Sequence, residues 1–201
     1  FPWAEHKARF RRLTEPDVSY HGVVYTDALG PAAYIGRARV VPLRNTGAAI
    51  SPFNAFLLLQ GIETLGLRID RISENALAVA KYLEGHKKVS WVRYAGLASH
   101  PDYPLVQKYL SGKAPGLLTF GVRSGRAGGE RFQDALKLIT RLVNISDAKS
   151  LACHPASTTH RQLSPEELAK AGVSEDMVRL SIGIEHIDDI IADIDQALAG
   201  A

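Results

Sequence analysis

The chain has 201 residues, of which 46% are hydrophobic and 22% charged, a composition typical of a folded globular protein and not of a disordered, collagen-like or disulfide-framed chain. Because its 24 Lys and Arg residues are dispersed among 21 Asp and Glu residues, the net charge of +3 does not indicate a nucleic-acid-binding surface. Cys153 is the only cysteine, which excludes an internal disulfide and fits a reducing cytoplasm, and no apolar stretch approaches the roughly 20 residues that a membrane-spanning helix needs.

The amino-terminal segment, residues 1–45, predicts mostly loops with one short helix near residues 32–40, because prolines and glycines interrupt it repeatedly. It opens Phe1-Pro2-Trp3 without an initiator methionine, so we expect this chain to be a piece of something longer. The segment lacks a sustained apolar period and is not expected to form a core alone.

The next segment predicts helices. Ser51 and Pro52 form a helix start, because serine can accept from the free amides of a first turn and proline there loses no hydrogen bond. Apolar residues then recur at alternating spacings of four and three. They are Leu58, Ile62, Leu65, Ile69, Ile72, Ala76, Val79 and Leu83. Gly61 and Gly66 predict a kink or a break, and Gly85 marks the end.

From residue 89 onward, strand-like and helix-like segments alternate. The predicted strands cover residues 89–94, 117–122, 142–145, 150–154 and 177–184, and the predicted helices cover residues 104–110, residues 130–139, a segment from Ser164 and a last segment ending at Leu198. Ser164 and Glu167 have the spacing of a capping box, in which the serine serves the third amide and the glutamate reaches back.

The last predicted strand has one apolar and one polar face. Its apolar residues are Val178, Leu180, Ile182 and Ile184, and its polar face carries Arg179, Ser181 and Gly183. Such alternation is typical of a sheet that is buried on one side only. It predicts an α+β domain with helices on one face of an antiparallel-rich sheet.

Few residues are candidates for catalysis or metal binding. Cys153 and His154 are neighbours in a predicted strand and so point to opposite faces, which favours a small buried cysteine over a nucleophile and base pair. His154 and His160 lie six residues apart, which matches no helical metal-ligand spacing. A strand-end histidine bonded to the backbone is the favoured interpretation.

Two further features could bind an anion. Gly125, Gly128 and Gly129 precede a predicted helix, but they lack the dinucleotide-binding spacing and favour a plain turn. Arg179 could hold a carboxylate through two parallel hydrogen bonds. A solvated surface arginine is the alternative that spacing alone favours.

Three segments resemble one family, the pyridoxal-phosphate-dependent enzymes of cysteine and methionine metabolism. They are GAAISPFNAFLLLQGIETL at residues 47–65, HPASTTH at residues 154–160 and VRLSIGIE at residues 178–185. Within that family the details are most similar to the O-acetylhomoserine sulfhydrylases, including Val143-Asn144-Ile145 ahead of the histidine motif. The resemblance covers essentially the whole chain.

The resemblance implies an α/β parent enzyme of the aminotransferase-like class that uses pyridoxal phosphate. The chain would then comprise the loop-rich end of the cofactor domain at residues 1–50, connecting helices at 51–85 and the complete carboxy-terminal small domain at 86–201. The family's Schiff-base lysine motif does not occur in this sequence. We therefore expect the cofactor to be held by the parent enzyme, with its amino-terminal part as partner, and not by this segment alone.

The resemblance also implies two substrate-binding residues and no catalytic residue. Arg179 matches the arginine that binds the substrate carboxylate, and Asn144 matches a second carboxylate contact through its side-chain amide and backbone N–H. Relatives often carry glycine where this chain has Ser146, so the Asn144 assignment depends on the backbone geometry of that loop.

The activity implied for the parent enzyme is elimination of acetate from O-acetylhomoserine and addition of sulfide or methanethiol, which gives homocysteine or methionine. Two alternatives stay open: another family member, a cystathionine γ-synthase or methionine γ-lyase, and a stand-alone interaction module without catalysis. The resemblance implies a cytoplasmic homotetramer acting on a small amino-acid substrate. We predict that the isolated chain has no turnover.

Overall fold

A computed structural model describes residues 1–201. The chain divides into two compact units, Phe1–Gln60 and Gly61–Ala201. It contains ten α-helices and five β-strands. None of the helices is long and apolar enough to cross a membrane.

The first unit consists of short helical segments. They are α1 (Arg11–Thr14), α2 (Tyr25–Leu29), α3 (Ala33–Ala38), α4 (Arg44–Thr46) and most of α5 (Pro52–Glu63). The predicted short helix near residues 32–40 is confirmed as α3. The prediction of loops elsewhere was wrong, because further single helical turns form between most of the prolines and glycines. Leu13, Tyr25 and Ala33 make a small core. The Tyr25 hydroxyl donates to Asp17 at 2.9 Å, and burial raises the pKa of Tyr25.

The predicted break in the apolar helical segment is confirmed, since α5 ends at Glu63 and α6 (Leu65–Glu84) begins two residues later. The Ser51 hydroxyl accepts from the Asn54 amide at 3.2 Å, as a helix start requires. The apolar stripe divides into two halves. Its last four residues are buried and its first four are 38–61% exposed; these first four are Leu58, Ile62, Leu65 and Ile69.

The second unit is built on a five-stranded sheet in the order β1-β2-β5-β4-β3. After α6 come β1 (Val89–Arg93), α7 (Tyr103–Tyr109), β2 (Leu117–Val122), α8 (Gly125–Ala135), β3 (Thr140–Arg141), β4 (Leu151–Cys153), α9 (Pro165–Lys170), β5 (Met177–Ser181) and α10 (Ile187–Ala199). Neighbouring strands are antiparallel, except that β3 and β4 are parallel. This is the antiparallel-rich sheet that the sequence predicts.

Helices α6, α8 and α10 pack against one face of this sheet, as the alternation in β5 predicts. Leu118, Phe120, Val178 and Leu180 are at most 2% exposed and share a core cluster with residues of all three helices. The rings of Phe120 and Phe132 meet edge to face with centroids 5.4 Å apart. The opposite face is covered in part by a small cluster, in which Leu168 of α9 and Val173 pack with Met177 of β5. Arg179 lies on this face and stays partly exposed.

Helix α8 begins and ends earlier than predicted. The three glycines that were predicted to form a turn lie inside this helix. A Cβ at Gly129 would come within 2.4 Å of the His154 ring, so only glycine at this position lets the helix approach His154. The helix ends at Ala135 because the Asp193 carboxylate accepts from the amides of the following segment. These are Lys137, Leu138 and Ile139, each at 2.9 Å.

The predicted strand at residues 142–145 was wrong, and only β3 pairs in this region. Leu142 and Val143 are half exposed, and the Ile145 amide bonds the Asn144 side chain instead of a neighbouring strand. Strand β5 is also shorter than predicted. Ile184 is 39% exposed because the chain has already left the sheet there.

The predicted capping box at α9 is confirmed. The Ser164 hydroxyl accepts from the Glu167 amide at 3.3 Å, and the Glu167 carboxylate accepts from the Ser164 amide at 2.8 Å. These hydrogen bonds lower the pKa of the Glu167 carboxyl.

Candidate functional site

Arg179 lies on β5, the central strand of the sheet. Its neighbours along the strand, Val178 and Leu180, are fully buried beneath the helices, so Arg179 points to the opposite face. Across the sheet it pairs with Thr119 on β2 and Cys153 on β4. Strands on both sides thus fix its backbone.

The Arg179 guanidinium is uncommitted. The residue is half-buried, yet its side chain makes no hydrogen bond or ion pair within the chain. Arginine presents N–H groups in a planar fork that matches a carboxylate. A free fork on a rigid strand can therefore bind an anionic group without giving up an existing partner.

Asn144 lies in the exposed segment between β3 and β4, residues 142–149, which we call the Asn144 loop. Its Oδ1 accepts from the Ile145 amide at 2.9 Å. That bond leaves both Nδ2 hydrogens able to donate to a ligand. Two residues further on, Ser146 has a left-handed backbone with φ +59°.

The Asn144 loop reaches the face of the sheet that carries Arg179. The Ser146 amide donates to the Ser181 hydroxyl at 3.1 Å, and Ser181 lies two residues beyond Arg179 on the same face of β5. No hydrogen bond joins the Arg179 and Asn144 side chains themselves. The structure thus brings the two predicted residues to one region.

The end of the loop is tied to the residues that follow β5. The Glu185 carboxylate accepts from the Ser150 amide at 2.6 Å and from its hydroxyl at 2.9 Å. That hydroxyl in turn accepts from the Gly183 amide at 2.9 Å. A Cβ at Gly183 would lie 2.4 Å from the Ala148 carbonyl oxygen, so glycine is needed for this approach.

Asn75 of α6 supports the same corner. Its Nδ2 donates to the carbonyl oxygens of Gly183 at 3.0 Å and Glu185 at 2.9 Å. Sequence reasoning missed Asn75, Ser150 and Glu185 as supports of the loop. Gly183 and Glu185 stand in the VRLSIGIE segment and could have been suspected, but Asn75 is 108 residues away from Gly183 and gives no local signal.

The other candidates are structural. Cys153 is buried, as predicted, with Sγ 3.3 Å from the Thr158 hydroxyl. His154 is fully buried, and its Nε2 donates to the Glu175 carbonyl oxygen at 3.0 Å while Nδ1 lies 2.8 Å from the Ser157 hydroxyl. The prediction of a backbone-bonded histidine is therefore confirmed. His160 contacts its neighbour, and no group of metal-ligating side chains occurs.

Comparison with known proteins identifies the family of this chain. The family described as Cys/Met metabolism PLP-dependent enzyme matches residues 15–199, which is most of the chain. The chain belongs to this family. The sequence-based family assignment is thus confirmed, and Arg179 and Asn144 lie within the matched region.

Relatives in the Cys/Met metabolism family are similar over nearly the whole chain. O-acetyl-L-homoserine sulfhydrylase 1 of Thermus thermophilus is 50% identical over 199 residues, 99% of this chain and 47% of the relative. Homocysteine synthase of Schizosaccharomyces pombe is 48% identical over 98% of this chain and 46% of its own length. The chain thus spans about half the length of the curated relatives it matches.

A solved family member has the same fold. The crystal structure of a putative O-acetylhomoserine (thiol)-lyase from Campylobacter jejuni, which carries N'-pyridoxyl-lysine-5'-monophosphate, matches with a TM-score of 0.85 at 44% identity. The match covers 96% of this chain and 45% of that one. The mixed sheet and its helices are therefore part of a known pyridoxal-phosphate enzyme fold.

The lysines of this chain do not fit the cofactor. Pyridoxal phosphate enzymes link the cofactor to a lysine amine held in a pocket. Every lysine here is exposed except Lys88, which is half-buried and donates to the carbonyl oxygens of Ala199 and Ala201 at 2.7 and 3.2 Å. No lysine of this chain therefore combines burial with a free amine, and none fits the cofactor.

Proposed function

We propose that this chain supplies the substrate-carboxylate site of an O-acetylhomoserine sulfhydrylase and forms its carboxy-terminal part. Such an enzyme replaces the acetate of O-acetylhomoserine with sulfide, or with methanethiol, to give homocysteine or methionine. The observation that carries the proposal is the unpaired Arg179 guanidinium on the central strand, beside the Asn144 loop. The 50% identity to an O-acetyl-L-homoserine sulfhydrylase supports the substrate, and the 48% identity to a homocysteine synthase supports the product.

The two side chains have complementary roles. Arg179 donates two parallel hydrogen bonds to the carboxylate oxygens and fixes the plane of the group. Asn144 donates a third from Nδ2, which adds direction without adding charge. With its carboxylate held in this way, the substrate keeps its acetyl-bearing end at a constant distance from the sheet. The cofactor, when bound in the whole enzyme, supplies the electron sink for the chemistry.

We propose the same division of the chain that the resemblance implies. Residues 1–50 end the cofactor domain, residues 51–85 connect, and residues 86–201 form the small domain. The exposed apolar residues of α5 and early α6 support this division, since exposed apolar surface of this extent is typical of an interface. The remaining half of the enzyme is the partner that would cover it, in a tetramer.

The test is Arg179→Ala in the full-length enzyme that contains this chain. We expect kcat/KM for O-acetylhomoserine to fall by about 30- to 5,000-fold, which corresponds to on the order of 2 to 5 kcal/mol for a desolvated carboxylate. Arg93→Ala is the matched control. Arg93 pairs with Thr119, which in turn pairs with Arg179, so this variant removes an equal charge from the same face of the sheet. An unchanged kcat/KM in Arg179→Ala would contradict the proposal.

Product analysis identifies the reaction. With O-acetylhomoserine as donor, sulfide as acceptor should give homocysteine, whereas preferential use of cysteine would indicate a cystathionine γ-synthase. Breakdown of methionine without an acceptor would indicate a methionine γ-lyase. Either of these results would replace the proposed reaction while leaving the carboxylate site intact.

A further inference from the structure

Ser146 holds a backbone conformation that serine seldom adopts. Its φ of +59° lies in the left-handed region, where the Cβ of an L-residue crowds the following carbonyl oxygen. Ser146 is exposed, so packing does not force this conformation. A specific bond must offset its cost.

Ser181 provides that bond. The Ser181 hydroxyl accepts from the Ser146 amide at 3.1 Å, and Ser181 itself is buried, with 2% of its surface exposed. Ser181 pairs with Leu117 on one side and Leu151 on the other, in the central strand of the sheet. Because strands on both sides hold Ser181 in place, its hydroxyl is a fixed acceptor for the loop backbone.

The other hydrogen bonds that join the loop to the rest of the chain lie at its ends. The Leu142 amide donates to Ala152 at 3.2 Å near its start, and the Ile184 amide donates to the Ala148 carbonyl oxygen at 2.9 Å near its end. Between these points, only the bond from Ser146 ties the loop to the sheet. The position of Asn144 therefore depends on Ser181.

We infer that Ser181 is a positioning residue for substrate binding: its hydroxyl holds Ser146 in the left-handed turn and so sets the distance between Asn144 and Arg179. The inference rests on the proposed carboxylate site. Ser181 acts through the loop backbone and is not assigned a contact with substrate.

Steady-state kinetics of the full-length enzyme test this role. We expect Ser181→Ala to raise KM for O-acetylhomoserine about 3- to 10-fold, the value of one hydrogen bond between neutral groups, with little change in kcat. Ser73→Ala is the matched control. It removes another buried serine hydroxyl, which donates to the Ala114 carbonyl oxygen at 2.8 Å and has no bond to the loop, and its KM should stay at the wild-type value.

A double variant separates positioning from a general loss of structure. Glycine adopts the left-handed conformation without the crowding that affects serine, so Ser146→Gly should make the Ser181 bond dispensable. We expect Ser146→Gly combined with Ser181→Ala to have a KM within about 2-fold of Ser146→Gly alone. If the double variant keeps the full defect of Ser181→Ala, the inference is wrong.

A third variant changes an exposed residue, so that a change in KM cannot be attributed to a damaged core. Ser146→Val leaves Ser181 in place but puts a β-branched residue at positive φ, and it should raise KM to the same extent as Ser181→Ala. Unchanged KM in Ser146→Val, or equal KM in Ser181→Ala and Ser73→Ala, would overturn the inference. If Arg179→Ala also has no effect, the proposed carboxylate site itself fails, and the two failures are thereby distinguished.

Discussion

Strand β5 and the Asn144 loop carry the two proposed substrate-binding side chains, and they are held in different ways. Arg179 sits between two buried neighbours in a strand that pairs on both sides. Asn144 sits in an exposed segment whose middle is tied to the sheet by one hydrogen bond. A strong charged contact thus comes from the rigid element, and a weaker neutral contact comes from a loop whose geometry depends on distant residues.

The largest expected difference between strand β5 and the Asn144 loop is in how much their side chains contribute to stability. Leu180→Ala removes a fully buried side chain next to Arg179 and should lower the free energy of unfolding by about 2–5 kcal/mol. Leu142→Ala removes the same atoms from a residue that is 50% exposed, and should change the free energy of unfolding by less than about 0.5 kcal/mol. Urea denaturation of the two variants measures both. Equal losses would mean that the loop is packed as firmly as the strand.

A second effect concerns the corner where loop and strand meet. Gly183→Ala places a Cβ 2.4 Å from the Ala148 carbonyl oxygen, so the loop must move, at a cost of about 1–3 kcal/mol in unfolding free energy. Gly85→Ala is the control, because Gly85 has a φ of −87° and a Cβ there meets only the Tyr82 carbonyl oxygen, at 3.8 Å. A glycine-to-alanine change at such a compatible position raises the free energy of unfolding by about 0.4–1 kcal/mol. Urea denaturation should show opposite signs for the two variants. A neutral Gly183→Ala would show that the close approach is not required.

The smallest effect is that of the loop side chain itself. Asn144→Ala should raise KM for O-acetylhomoserine about 3- to 10-fold in the full-length enzyme, because it removes one neutral donor. Asn45→Ala removes an exposed asparagine of the first unit and serves as the control. A loss as large as that of Arg179→Ala would mean that the loop carries as much of the binding as the strand.

Local sequence signals predicted the parts that local forces determine. The Ser164 capping box, the helix start at Ser51 and the break after Glu63 each depend on residues a few positions apart, and each is present. The alternation in β5 likewise identified the face that carries Arg179. In these cases the deciding contacts are between near neighbours in the chain.

The failures depend on contacts between distant residues. Helix α8 ends early because Asp193, more than 50 residues away, accepts from the amides that follow it. The apolar stripe likewise does not distinguish Leu83, which meets the sheet's core, from Ile62, which is exposed in this chain on the surface that we propose the rest of the enzyme covers. The Asn144 loop follows the same rule, since its shape is set by Ser181 and Glu185. Periodicity cannot reveal such partners.

The most direct test of the central claim uses two substrates. kcat/KM is measured for O-acetylhomoserine and for its carboxamide, in the full-length enzyme and in its Arg179→Ala variant. If Arg179 binds the carboxylate, the variant should lose about 30-fold or more of the preference for the charged substrate, because only that substrate loses a charged hydrogen-bonded pair. An undiminished preference in Arg179→Ala would contradict the account.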